Sequence, residues 1–129
     1  MKKELIKSTF EFLESIKNKK IVLFGAGPTC EELLNNLRLK CAYIVDNDPD
    51  LWEKTLRNLE IKNPLQLKDE IFLDIVVIVA STDINDIIIQ LQKYGLELGS
   101  QIHISPFLSF DQSVDKNYYP NLLQLHPVY

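Results

Sequence analysis

Lys20-Ile-Val-Leu-Phe-Gly-Ala-Gly-Pro-Thr-Cys30 is the stretch that decides the fold. A short apolar run opens into a glycine-rich turn and then a helix. A second apolar run follows, Tyr43-Ile-Val-Asp-Asn-Asp-Pro49, and ends on an acidic residue. This is the layout of a βαβ unit able to hold a nucleotide's phosphates and ribose. Asp46 lies 21 positions after Gly25, and the acidic partner is expected about 20 residues on. Gly25 permits the tight turn because no Cβ blocks its dihedral angles. Gly27 lets a phosphate approach the backbone, with the positive end of the helix behind it. Two residues depart from the pattern. Pro28 removes one amide N–H from the cradle, and Cys30 stands where a third glycine would let helix and strand meet closely.

The candidate ligand-binding positions are Gly25, Ala26, Gly27 and Thr29 in and after the turn, Asp46 and Asn47 after the second strand, and Ser81 and Thr82 after the third. Asp46 would accept hydrogen bonds from ribose hydroxyls, and its charge would repel a 2′-phosphate. Each position also has a plainer reading. The glycine turn can simply join strand to helix, Asp46 can form an Asx-turn with Asp48, and Ser81 and Thr82 can cap the next helix.

Working outward, Leu5, Ile6, Phe10, Leu13 and Ile16 recur at helical spacing and predict a helix over Glu4 to Lys17. Strands are expected at Ile21 to Phe24, Ala42 to Val45, Asp74 to Ala80 and Gln101 to Ile104, with a possible edge strand near Leu59 and Ile61. Helices are expected from Pro28 to Leu39 and from Ser81-Thr82-Asp83 to about Tyr94, where Gly95 stops the second. Pro64 to Glu70 is expected to hold one or two helical turns. The order βαβ…βαβ implies an α/β fold of three layers, a parallel sheet with helices on both faces. The expected strand order is 3-2-1-4, taking Asp74 to Ala80 as the third strand. The chain reads as a single domain over residues 1–129. It comprises an N-terminal helix in 1–18, a core in 19–105 and an aromatic tail in 106–129 that packs on the sheet edge or docks on a second copy.

A net charge of −4 argues against nucleic acid as a main partner, since a phosphate backbone calls for a basic surface. No run approaches the roughly 18 apolar residues of a membrane span. Glu4, Glu11 and Glu14 break the apolar core that a secretory signal needs, so a cytoplasmic location is expected. Cys30 and Cys41 would sit near opposite ends of one helix, beyond disulfide reach, and two thiols do not make a Cys-rich zinc site.

The runs IVLFGAGPTCEELLNNL, AYIVDNDP, LEIKNPLQL and DIVVIVAS, with a helix ending in KYGL, resemble the Rossmann-like modules of bacterial surface-glycan proteins. Such modules occur in polysaccharide-biosynthesis dehydratases, in the N-terminal domains of sugar O- and N-acetyltransferases, and alongside sugar methyltransferases. The resemblance covers about Lys19 to Ser105. It implies NAD(H) or a UDP-sugar bound at Gly25, Ala26, Gly27 and Asp46. Neither the hexapeptide-repeat β-helix of the acetyltransferases nor the larger catalytic domain of the dehydratases accompanies the module in this sequence.

A catalyst is not legible. Tyr43, Tyr94, Tyr118, Tyr119 and Tyr129 lack the lysine four positions on that short-chain hydride transfer uses. There is no HExxH, phosphate loop or GxSxG elbow. His103 lies in a strand, and His126 lies in the irregular tail. Cys30 could be a thiol activated by a helix N-terminus, but its place in the third-glycine position favours packing. The expectation is a nucleotide-binding module, working as a homo-oligomer or with a partner enzyme, against the alternative of a ligand-free scaffold.

Overall fold

The computed structural model describes residues 11–71 and 74–106. The expected helix up to residue 10 and the aromatic segment from residue 107 lie outside them. The strands are β1 (Lys20–Phe24), β2 (Cys41–Val45), β3 (Thr55–Leu56), β4 (Leu59–Lys62), β5 (Ile75–Val79) and β6 (Ile102–Ile104). They form one sheet in the order β3-β4-β2-β1-β5-β6. All neighbours are parallel except β3, which pairs antiparallel with β4. Helix α1 is described over residues 11–15, α2 spans Pro28–Asn36 and α3 spans Ile84–Lys93. Two 3-10 helices, Pro49–Leu51 and Pro64–Asp69, fill the connections either side of β4.

The α/β layering follows from alternation along the strands. Val22, Phe24, Tyr43, Val45, Val77 and Val79 face α3, where Ile84, Ile87, Ile88 and Leu91 form the matching stripe. Ile21, Leu23, Ile44, Val76 and Ile78 face the other way, onto Cys30 and Leu33 of α2 and Ile16 after α1. Every residue of β5 is buried, as a central strand covered on both faces requires. Among the described residues no helix is long and apolar enough to cross a membrane.

The strand order 3-2-1-4 is corrected. β5 lies beside β1 on the side away from β2, and β4 takes the place outside β2. The connection lengths allow this order. Parallel neighbours need a crossover of about a dozen residues, and residues 46–58 provide one from β2 to β4. Residues 63–74 then return to β5, with Leu67 of the second 3-10 helix buried against the α3 face.

Helix α2 also stops earlier than expected. Leu37 is extended (φ −124°, ψ 135°) and its N–H bonds to the Leu33 carbonyl. Leu37 and Leu39 pack against the α2-side core, so burial of these leucines overrides their helix propensity and turns the chain into β2.

A partly buried charge cluster fixes the second 3-10 helix to the sheet. Lys20 Nζ donates to Glu70 Oε1 at 2.5 Å, Tyr43 donates its hydroxyl proton to Glu70 Oε2, and Lys62 Nζ sits 4.7 Å over the Tyr43 ring. Burial alone would raise the Glu70 carboxyl, but the hydrogen bonds from Lys20 and Tyr43 and the charges of Lys20 and Lys62 hold it below the ordinary carboxylate range. Burial, followed by the hydrogen bond and charge of Glu70, pushes the Tyr43 phenol upward.

Candidate functional site

The carboxyl ends of β1, β2 and β5 bring most of the expected residues together. Gly25 follows β1 with φ +113°, and its N–H bonds to the Val45 carbonyl at 2.8 Å. A Cβ at Gly25 would lie 2.6 Å from the Ala80 carbonyl oxygen and 3.1 Å from the Ser81 Cβ. The first glycine is therefore required by the chain itself, because the turn crosses directly over the end of β5. Gly27 differs. Its backbone is extended (φ −116°), it is the N-cap of α2, and a Cβ there would meet nothing within 4 Å. No side chain caps this helix; Pro28 has no N–H to offer, and the Cys30 and Glu31 N–H groups bond to the Gly27 carbonyl at 3.1 and 3.2 Å.

Asp46 is drawn into the turn from the end of β2. Its Oδ2 accepts from the Ala26 N–H at 2.8 Å and its Oδ1 from the Asp48 N–H at 2.9 Å. The Asx-turn reading is thus realised, and so is an anchor to the glycine turn. A carboxylate has about four lone-pair sites, so two backbone donors leave room for two more. The Trp52 indole N–H donates to the Asp46 carbonyl at 2.7 Å and steadies the acidic turn from the α2 side of the sheet. Asp48 accepts from the Asp50 N–H at 3.0 Å and caps the first 3-10 helix.

The remaining positions diverge. The Ser81 Oγ accepts from the Asp83 N–H at 3.3 Å in a turn ahead of α3, whose N-cap is Asp83 and carries no side-chain capping bond, and Ser81 stays against Gly25. Thr29 is half-buried in the first turn of α2 and Thr82 is exposed. Asn47 turns to α3, where its side-chain amide exchanges two hydrogen bonds of 2.8 Å with that of Gln90. Gln90 also donates to the Tyr94 hydroxyl at 2.8 Å.

Sequence reasoning missed Trp52 and Gln90. Trp52 is the chain's sole tryptophan and follows the acidic turn, a usable signal. Gln90 stands 43 residues from its partner and gave none.

Cys30 is fully buried. Burial pushes its thiol up to about 12, and the charges of Cys41, Glu31 and Asp46 act in the same direction. This is the packing role expected from its place in the third-glycine position. Cys41, a free thiol like Cys30, is pushed up by burial to about 11. His103 packs edge-on against the Phe12 ring at 5.8 Å between centroids. Burial, then the Lys19 charge, lowers its imidazole below the usual value, against a smaller opposing effect of its hydrogen bond to the Ser100 backbone.

The family described as C2185-like, N-terminal matches over residues 17–100, well over half of the chain. No curated protein matches. Among solved structures, RSP, a Rex-family repressor, superposes with a TM-score of 0.52 at 15% identity, covering 96% of this chain and 66% of that one. The same repressor in complex with β-NADH gives 0.52 at 15% identity over 96% and 68% of the two chains. The chain thus spans about two thirds of the repressor's length. The UDP-D-quinovosamine 4-dehydrogenase of Vibrio fischeri aligns at 23% identity over 67% of this chain and 75% of that one, with a TM-score of 0.48. At these identities the likeness to the repressor establishes a Rossmann-like fold.

Proposed function

We propose that this chain, which belongs to the C2185-like N-terminal family, is a nucleotide-binding module whose ligand seats its phosphates beside Gly27 and its ribose on Asp46. The observation that carries the reading is the open space at Gly27, at an uncapped helix N-terminus, next to a carboxylate already anchored to the same turn. Helix N-termini favour anions through their free N–H groups and dipole. The acidic residue favours an unphosphorylated ribose. NAD(H) is one candidate, supported by the likeness to a repressor whose structure holds β-NADH. A UDP-sugar is the other, supported by the sequence resemblance to surface-glycan modules. In that setting the chain would serve polysaccharide biosynthesis as an accessory or subunit, with a second copy or a partner enzyme.

A thermal-shift titration tests this reading. A ligand that binds only the native state stabilises it by about 2.7 kcal/mol at a hundred times its Kd, a rise on the order of 10 °C for a domain of this size. NAD or a UDP-sugar should raise Tm with concentration, and Gly27→Val should abolish the rise. A second reading, a scaffold without ligand, is favoured by one feature: each Asp46 oxygen already accepts a backbone N–H from within the chain, Ala26 on one and Asp48 on the other. It expects no shift with either nucleotide class.

A further inference from the structure

At the opposite end of β1, about 16 Å from the glycine turn for five strand residues, the chain forms an open cavity of about 350 Å³. Its rim carries Lys17 and Lys19 from the turn before β1, and Arg38 and Lys40 from the turn before β2. No carboxylate lines it, in a chain whose net charge is −4. Lys19 makes a loose 3.5 Å pair with the largely exposed Asp74. Among the described residues Lys17, Arg38 and Lys40 have no ion-pair partner. Lys20, the next cation along, is spent on Glu70. The floor is apolar, formed by Ile16, Ile21 and Leu39.

Lys17, Arg38 and Lys40 are exposed at the rim and Lys19 is half-buried beside them, so the cavity mouth carries a positive field that favours an anion. A guanidinium offers a planar fork that matches phosphate oxygens, and the lysines add charge without directional demand. The apolar floor has no use for a bare inorganic ion, whereas it stabilises a carbon body by removing it from water. We infer that this cavity is a second binding site, for an organic phosphate whose phosphoryl group lies among Arg38, Lys40 and Lys17 and whose apolar part rests on Ile21 and Leu39. The site is independent of the glycine turn and does not rest on the nucleotide reading.

Phenyl phosphate is the probe, followed by amide NMR on the full chain, with inorganic phosphate as the comparison lacking a carbon body. Phenyl phosphate should move the amides of Lys17, Ile21 and Leu39 and bind more tightly than inorganic phosphate. Arg38 and Lys40 are exposed, so Arg38→Ala and Lys40→Ala leave the fold intact. Arg38→Ala should weaken binding about tenfold, the loss of one charge-assisted hydrogen-bonding group. Gly27→Val should alter it by less than about twofold, as expected for distant sites. Sedimentation with phosphatidylcholine vesicles containing phosphatidic acid separates the two sources of such a group. Arg38-dependent pelleting assigns a lipid headgroup, and phenyl phosphate binding without pelleting assigns a soluble phosphate. If neither probe binds, if the shifts fall only on residues 25–27 and 46, or if Arg38→Ala and Lys40→Ala both leave affinity unchanged, the inference is wrong.

Discussion

The two ends of the parallel sheet are built on opposite electrostatic plans. At the carboxyl end an acid meets backbone amides: Asp46 gathers the N–H groups of Ala26 and Asp48 beside the start of α2. At the amino end lysines meet a single buried acid on one face, Glu70, and stand without one around the cavity on the other. The carboxyl end is therefore preorganised by the backbone, through a glycine the fold cannot replace. The amino end is held by side chains whose charge state sets their strength.

The sharpest way to break this contrast lies within the turn itself. Gly25→Ala forces a side chain at φ +113° to within 2.6 Å of the Ala80 oxygen, and should destabilise by about 3 kcal/mol or more in denaturant unfolding. Gly27→Ala, two residues on, meets open space and should change stability by less than about 1 kcal/mol. Equal losses at the two positions would remove the distinction between a structural glycine and one that keeps a space clear.

Glu70→Gln probes the amino end and should cost about 1–3 kcal/mol at neutral pH, since it removes a charged acceptor shared by Lys20 and Tyr43. The native Glu70 carboxyl titrates below its ordinary 4.5. Its contribution is therefore fully present above that pH and is lost as pH falls through the depressed native value. The gap between wild type and variant should close on acidification. His103 acts in the same direction at higher pH. Its native pKa lies below 6.5, so the unfolded chain takes up the proton first and stability declines as pH drops beneath that value. A gap that stays constant down to the acid transition would contradict the Glu70 assignment.

Asp46→Asn should have a smaller effect, about 1 kcal/mol, because an amide nitrogen cannot accept from Ala26 or Asp48. It should also abolish any nucleotide-induced rise in Tm. Trp52→Phe, which keeps an aromatic ring but loses the indole's second ring together with the donor to the Asp46 carbonyl, should cost about 1–2 kcal/mol. Its mark on a nucleotide titration should be a weaker affinity at an unchanged site.

How much of this was legible depended on the range of the interaction that decided each feature. β1, the glycine turn, α2 and β5 are written in local signals: a short apolar run, Gly25, Pro28 at the first helical turn, and five consecutive β-branched residues from Ile75. The place of β5 beside β1 was not, because periodicity carries no record of which side of a sheet a crossover returns to. The hairpin of β3 and β4 has only six strand residues, and three left-handed residues around it, Glu53, Arg57 and Asn58, are none of them glycine. In the site, Gly25, Asp46 and Ser81 were placed by their distances along the chain. The diversion of Asn47 to Gln90, like the bond from Lys20 to Glu70 across 50 residues, is a product of packing that sequence spacing does not reveal.

The most direct test of the nucleotide site is an amide NMR titration of the full chain with NADH and, separately, with UDP-N-acetylglucosamine. The account predicts saturable shifts at Ala26, Gly27 and Asp46 with at least one of the two, lost in Gly27→Val. Spectra unmoved at these residues by either ligand, or shifts that survive the valine unchanged, would contradict it.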